Sequence, residues 1–229
     1  MTTIASNLQA MRAAIHEAAH AAGREDTNIT LLAVSKNFPA EAVRSAYHAG
    51  QHFFAENYLQ EALDKMSALH DLPLEWHFIG PIQSNKTRAI AENFPWVHSV
   101  DRLKVAERLS AQRPEHLPAL QVCLQVNISD EDTKSGVSIA EAPLVAAQIA
   151  RLPRLKLRGL MAVPAPTDDI HTQRGAFATL RELLQNLNQQ GLQLDTLSMG
   201  MSHDFAAAIM EGATMIRIGT AIFGNRTYS

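Results

Sequence analysis

The segment Leu31-Leu32-Ala33-Val34-Ser35-Lys36-Asn37-Phe38-Pro39 reads as a short buried strand that runs out at a single lysine. Four apolar residues in succession suit a strand covered on both faces, as in a parallel sheet. Pro39 ends the extended run and a helix-like stretch follows, so Lys36 sits where a strand hands over to its loop. A lysine at such an edge, partly desolvated, loses some preference for the ammonium form. Its neutral amine can then attack an aldehyde. Taken alone, a lysine at a strand end is ordinarily just solvated, so the rest of the chain has to supply the case.

Working outward, the same pattern recurs. Strands are expected over 29–35, 52–56, 74–79, 96–100, 120–126, 156–163, 194–199 and 215–218. Helical runs follow over 41–49, 58–69, 84–93, 103–109, 140–151, 174–190 and 205–211, with Asp101 placed to cap the one that begins near Leu103. Eight strand-first units in regular alternation predict a parallel α/β sheet, and eight is the number that closes a (β/α)8 TIM barrel. An open doubly wound sheet is the competing topology, but no G-x-G-x-x-G turn follows the first strand. Ile4, Leu8, Met11, Ile15 and Ala18 add an amphipathic N-terminal helix. It could cover the gap left by a missing or very short last outer helix. No internal repeat or linker divides the sequence, so a single domain over 1–229 is expected.

Composition narrows the classes. The chain has 229 residues, 46% of them hydrophobic, with a net charge of −3 and a pI near 6.4. Neither the charge nor any basic run points to nucleic acid. The first residues lack the continuous apolar region of a signal peptide, and no stretch reaches membrane-spanning length. A cytoplasmic protein is therefore expected, with no membrane partner. Cys123 is the sole cysteine and lies in an apolar run, where a small core residue is the simpler reading than a nucleophile. The ten histidines form no H-E-x-x-H pattern, and neither a G-x-S-x-G elbow nor a P-loop occurs.

In a barrel the C-terminal strand ends share one rim. Here that rim would carry Lys36, Asn57, His77 with Gly80, Asn127, Met161, Ser198 with Ser202, and Arg217 with Gly219 and Thr220. The loops after the seventh and eighth strands, where barrels often hold phosphate, contain Met199-Gly200-Met201-Ser202 and Gly219-Thr220. Both offer a hydroxyl and a glycine edge that lets backbone N–H groups approach an anion. Singly these are ordinary turn residues. Together with a rim lysine they suit a phosphorylated aldehyde, and pyridoxal 5′-phosphate has both handles. Arg217 shares its strand face with Gly219, so it points inward and needs a partner. That partner is either a pyridine nitrogen, which a guanidinium would keep unprotonated, or a carboxylate of Asp204, Glu211 or Glu56. His77 alternates in phase with Glu75 and Ile79 and reads as a hydrogen-bonded core histidine.

These residues resemble a known family. Trp76-His77-Phe78-Ile79-Gly80-Pro81-Ile82-Gln83-Ser84-Asn85-Lys86 is similar to the signature of the pyridoxal phosphate homeostasis proteins. Ala33–Lys36, Glu56–Tyr58, the 126–136 segment, Leu197–Ser202 and Arg217–Gly224 agree with it. Ala55 and His203 depart from the usual pattern beside two of these motifs and leave the central residues of both intact. The resemblance implies a barrel like the alanine racemase N-terminal domain, with the cofactor held as a Schiff base on Lys36. It further implies that Ser202, Gly219 and Thr220 hold the phosphate, that Arg217 lies by the ring nitrogen, and that Asn57 and Met199 line the ring pocket. It implies a cofactor carrier or buffer that affects vitamin B6 and amino-acid balance. The leading functional reading is a protein that holds PLP and supplies it to PLP-dependent apo-enzymes. The alternative is an amino-acid racemase, which needs a second acid/base opposite Lys36. The tyrosines are Tyr47, Tyr58 and Tyr228, and only Tyr58 falls near the rim. Lys134 is a candidate second aldehyde site, weighed against an ordinary loop lysine. A monomer is expected, because the second domain that forms the racemase dimer is not among these residues.

Overall fold

The computed structural model describes residues 3–129 and 135–224. Helix α1 (Ile4–Ala21) opens the chain behind a reciprocal cap, in which Thr3 Oγ1 accepts the Ser6 N–H and Ser6 Oγ accepts the Thr3 N–H. Its stripe of Leu8, Met11, Ile15 and Ala19 is buried. Strand β1 (Thr30–Val34), α2 (Ala40–His48), β2 (Phe53–Glu56), α3 (Leu59–Ala68), β3 (Glu75–Phe78), α4 (Thr87–Asn93) and β4 (Trp96–Val100) follow. Then come α5 (Leu103–Gln112), β5 (Leu120–Asn127), β6 (Val137–Ser138), α6 (Ala142–Ile149), β7 (Leu155–Met161) and α7 (Ile170–Gln189). The described chain closes with β8 (Thr196–Ser198), α8 (Phe205–Met210), β9 (Met215–Ile218) and α9 (Thr220–Phe223).

Eight strands form a closed parallel ring. Hydrogen bonds run from β1 through β2, β3, β4, β5, β7 and β8 to β9, and β9 returns to β1 with Leu32 opposite Arg217. The two-residue β6 only extends the end of β5. This is the TIM barrel expected from the alternation. Strand periodicity sorts its side chains into two cores. Leu32, Val34, Ala55, Trp96, Cys123, Met161 and Met215 fill the barrel interior. Leu31, Ala33, Phe54, Phe78, Leu124 and Ile218 face outward and meet the helices in a larger apolar layer.

The N-terminal helix does close the seam. Helix α9 has only four residues, and α1 packs on α8 and α9. Asn7 Nδ2 donates to the Ile222 carbonyl at 2.9 Å, and Arg24 donates to the carbonyls of Ile209 and Ala213. Two local expectations are corrected. Asp101 does not cap α5: Arg102 occupies the cap position and takes the Asp101 carboxylate for its own guanidinium at 2.8 Å. Helix α7 starts at Ile170 rather than near Arg174, because Asp169 accepts the N–H groups of His171 and Thr172 and so provides an earlier cap.

Candidate ligand-binding site

Past β1 the chain turns at Ser35–Phe38, with the Phe38 N–H donating to the Ser35 carbonyl at 3.0 Å. Asn37 takes a left-handed conformation (φ 64°), which asparagine tolerates better than most residues. The turn presents the half-buried Lys36 to the rim in the inward phase of Leu32 and Val34. A buried ion cluster fastens the backbone on both sides of it. Lys65 Nζ donates to the Ser35 carbonyl (2.7 Å), Glu56 Oε1 (2.6 Å) and Glu61 Oε1 (2.6 Å). Ser35 Oγ donates to Glu56 Oε1 at 2.7 Å, and the Asn37 N–H donates to Glu61 Oε1 at 2.6 Å. Burial pushes the Glu56 carboxyl upward from its ordinary pKa, against the opposing pull of Lys65 and Ser35. Phe38 stacks on Phe223 with ring centroids 5.0 Å apart, tying the lysine turn to the short helix that begins at Thr220.

Lys36 faces a cavity of about 370 Å³ at the C-terminal mouth of the barrel. Val34, Ile79, Met161 and Val163 make its apolar walls. Asn57, Ser202, Arg217, Gly219 and Thr220 bring polar groups to the same space. Asn57 is set by a close backbone approach: a Cβ on Gly80 would lie 1.9 Å from the Asn57 carbonyl oxygen. Among the described residues, the buried amide oxygen of Asn57 has no hydrogen-bond partner. The loop to Ser202 turns at Gly200 (φ 95°), where a Cβ would come within 2.7 Å of Ala208. It closes where the Met201 N–H donates to Asp204 Oδ1 at 2.6 Å.

Arg217 reaches the cavity floor from β9. Its Nη1 donates to Ser198 Oγ at 2.7 Å and its Nη2 to the Ala162 carbonyl at 2.9 Å. Burial lowers its pKa to about 10, with Asp204 pulling the other way. Two of the carboxylates considered for it are engaged elsewhere, Glu211 with Arg174 and Arg181, and Glu56 with Lys65. A buried cation held by neutral oxygens is expensive. It is well suited to meet a neutral acceptor or an anion entering the cavity.

Six of the seven residues singled out from the sequence line this cavity, namely Lys36, Asn57, Ser202, Arg217, Gly219 and Thr220. Met199 does not. It is fully buried in the layer between barrel and helices, because Ser198 faces inward and alternation turns its neighbour out. Met201 and His203 stand on the wall instead. Of the wider rim set, His77 and Ser198 lie deeper in the barrel, both fully buried. Tyr58 is 52% exposed and is not a cavity wall. Lys134 and Tyr228 lie outside the described residues. The Cys123 thiol is buried and its pKa is pushed up to about 12, which makes it a poor nucleophile. Among the described residues no cluster of histidine, cysteine and carboxylate side chains could hold a metal ion, and no helix is long and apolar enough to cross a membrane.

A parallel barrel with a rim lysine, an inward arginine and a hydroxyl-and-glycine edge defines the class of the alanine racemase N-terminal domain, and the model of that family matches residues 6–227. The chain is 62% identical over 228 residues to the pyridoxal phosphate homeostasis protein of Pseudomonas aeruginosa, covering 100% of this chain and 98% of the relative. It is 52% identical to the protein of the same name from Escherichia coli K12, covering 100% and 99%. Among solved structures, PipY of Synechococcus elongatus with PLP bound superposes with a TM-score of 0.86 at 40% identity, over 97% of this chain and 100% of that one. The chain belongs to the pyridoxal phosphate homeostasis protein family.

Proposed function

We propose that this protein binds pyridoxal 5′-phosphate in the rim cavity, holds it as a Schiff base on Lys36, and supplies it to PLP-dependent apo-enzymes. The single observation that carries the reading is the convergence of Lys36, Arg217 and the Ser202/Gly219/Thr220 edge on one cavity of about 370 Å³. The donor set fits the ligand. The buried Asn57 oxygen needs a hydrogen-bond partner, and the apolar walls of Val34, Ile79 and Met161 suit an aromatic ring. The comparison with PipY, a relative whose structure has PLP bound and which matches 97% of this chain, supports it further.

Each part of the chain has a distinct task. The Lys36 amine adds to the aldehyde carbon, and a carbon–nitrogen double bond forms as water leaves. The bound group thereby keeps a reactive aldehyde out of solution. Ser202, Gly219 and Thr220 receive the phosphate through hydroxyl and backbone donors. Arg217 donates toward the ring nitrogen and, as a guanidinium, keeps its proton. A ring left unprotonated is a weak electron sink, which favours holding the cofactor over transforming an amino acid on it. The racemase alternative needs a second proton-handling group, and Tyr58 stands off the cavity walls.

The test is a transfer assay. Loaded protein is mixed with the apo-form of a PLP-dependent enzyme, with and without a phosphatase that destroys free cofactor. Reactivation that survives the phosphatase supports supply by the protein. Reactivation abolished by it would reduce the function to binding and release.

A further inference from the structure

The barrel interior holds a set of polar side chains that the cavity does not expose. Arg217 Nη1 donates to Ser198 Oγ (2.7 Å), and Ser198 Oγ lies 2.7 Å from His98 Nδ1. His98 Nε2 lies 2.9 Å from His77 Nδ1. His77 Nε2 stands 3.2 Å from Glu75 Oε1, poorly aligned for a full hydrogen bond. Ser198, His98 and His77 are all fully buried, whereas the Glu75 side chain is 41% exposed at the start of β3. The series therefore crosses the barrel from the floor of the cavity to its opposite, N-terminal mouth.

Proton counting gives the series a direction. A guanidinium can only donate, so Ser198 must accept from Arg217. The remaining hydroxyl proton has His98 Nδ1 as its acceptor, and leaving it unspent in the interior is costly. His98 Nδ1 is then bare, and its proton sits on Nε2, facing His77 Nδ1. His77 Nδ1 is bare in turn, and its own Nε2–H faces the Glu75 carboxylate. Both imidazoles are neutral and in the same tautomer, and every donor points away from Arg217. Burial lowers the pKa of both imidazoles, that of His98 further.

We propose that Ser198, His98 and His77 form a one-way hydrogen-bonded relay, ended electrostatically by the Glu75 carboxylate, that positions the Arg217 guanidinium for the ring nitrogen of the bound ligand. The proposal rests on the reading of the cavity given above. Ser198 is the positioning residue in contact with Arg217; the histidines act through it by holding its hydroxyl turned away. Protonation of either imidazole would place a donor against a donor and force the serine proton back toward Arg217. The other groups facing the relay are few. Trp96 stacks on His77 with centroids 5.4 Å apart, Phe53 meets its edge, and Arg158 lies 4.9 Å over the Trp96 ring. Arg158 also stabilises the Glu75 carboxylate, while Asp204 and Cys123 are the charged or titratable groups that act on Arg217.

Long-range nitrogen–proton NMR correlations of the side-chain imidazoles test the relay in the full chain without ligand. The expected result at pH 7.5 is that His77 and His98 are both neutral and protonated on Nε2. A cationic ring or an Nδ1–H tautomer at either position would overturn the proposal. Ser198→Ala supplies the second arm. It should disturb the tautomer of His98 and, one link further, that of His77, and it should raise the dissociation constant for pyridoxal 5′-phosphate about tenfold. That factor matches the loss of one charge-assisted hydrogen bond. Unchanged imidazole resonances with affinity within twofold of the parent would overturn it. A protein that bound no pyridoxal 5′-phosphate at all would overturn the reading of the cavity and with it the destination of the relay. The ligand-free resonances distinguish that result from a failure of the relay itself.

Discussion

The Lys65 ammonium donates to the carbonyl of Ser35 at 2.7 Å, so a buried cation anchors the residue immediately before Lys36. The same ammonium joins Glu56 and Glu61, and Glu61 in turn accepts the N–H of Asn37 immediately after Lys36. The rim lysine thus projects from a turn clamped at both ends, and its reach into the cavity depends on a second lysine that never touches the cavity wall.

Lys65→Met should therefore be costly. It leaves Glu56 fully buried without its counter-charge, a loss of about 3–5 kcal/mol. Urea unfolding checks the stability, and a titration with pyridoxal 5′-phosphate checks the turn. Pairing it with Glu56→Gln should recover much of the stability and little of the affinity. Full recovery of both would mean that the cluster does not set Lys36.

The buried imidazoles make stability depend on pH. Both pKa values are depressed on folding, so as pH falls below about 6.5 the unfolded chain takes up protons that the native barrel refuses. Stability is complete above that value and declines toward the folded pKa values, by about 1.4 kcal/mol per pH unit for each imidazole. Glu56, whose pKa is raised, acts with the opposite sign at lower pH. The contribution of the histidines is read as the difference between the parent and His98→Gln in urea midpoints at pH 7.5 and 5.5. The variant should show the shallower loss; parallel curves would contradict the assignment.

Gly80→Ala places a Cβ 1.9 Å from the Asn57 carbonyl oxygen. The loop after β3 has to move, at about 1–3 kcal/mol. Asn57 moves with it, so thermal unfolding and ligand affinity should fall together.

Arg217→Lys keeps the charge and loses the planar fork that serves Ser198 Oγ and the Ala162 carbonyl at once. Affinity for pyridoxal 5′-phosphate should drop about tenfold, on the scale of one charged hydrogen bond. The absorption band of the bound cofactor should shift as well. A variant with parental affinity and spectrum would remove Arg217 from the ring site.

Much of this architecture is legible in the sequence, and the reasons are local. Leu31–Val34 and its seven counterparts are short apolar runs punctuated by turn residues, so strand existence and order follow from periodicity. The rim set follows from the rule that strand ends converge, which placed Lys36 beside Arg217 although 181 residues separate them. Met199, a pocket residue only by what the family resemblance implies, faces the helices instead, because inward Ser198 requires an outward neighbour. Lys65 gave no signal, since a lysine flanked by Asp64 and Met66 on an amphipathic helix reads as surface. Its burial becomes apparent only when α3 packs beside β2 and brings Glu56 to it. The pairing of His77 with His98 was equally hidden, because it needs the register that sets His77 against Trp96.

The central claim is that Lys36 is the covalent anchor. It is tested most directly by loading the purified protein with pyridoxal 5′-phosphate, reducing with borohydride and mapping the modified peptide. The account predicts a visible absorption band that reduction abolishes, with the added mass on Lys36 and markedly weakened retention in Lys36→Ala. A band that survives reduction, or a modification carried by another lysine in the parent protein, would contradict it.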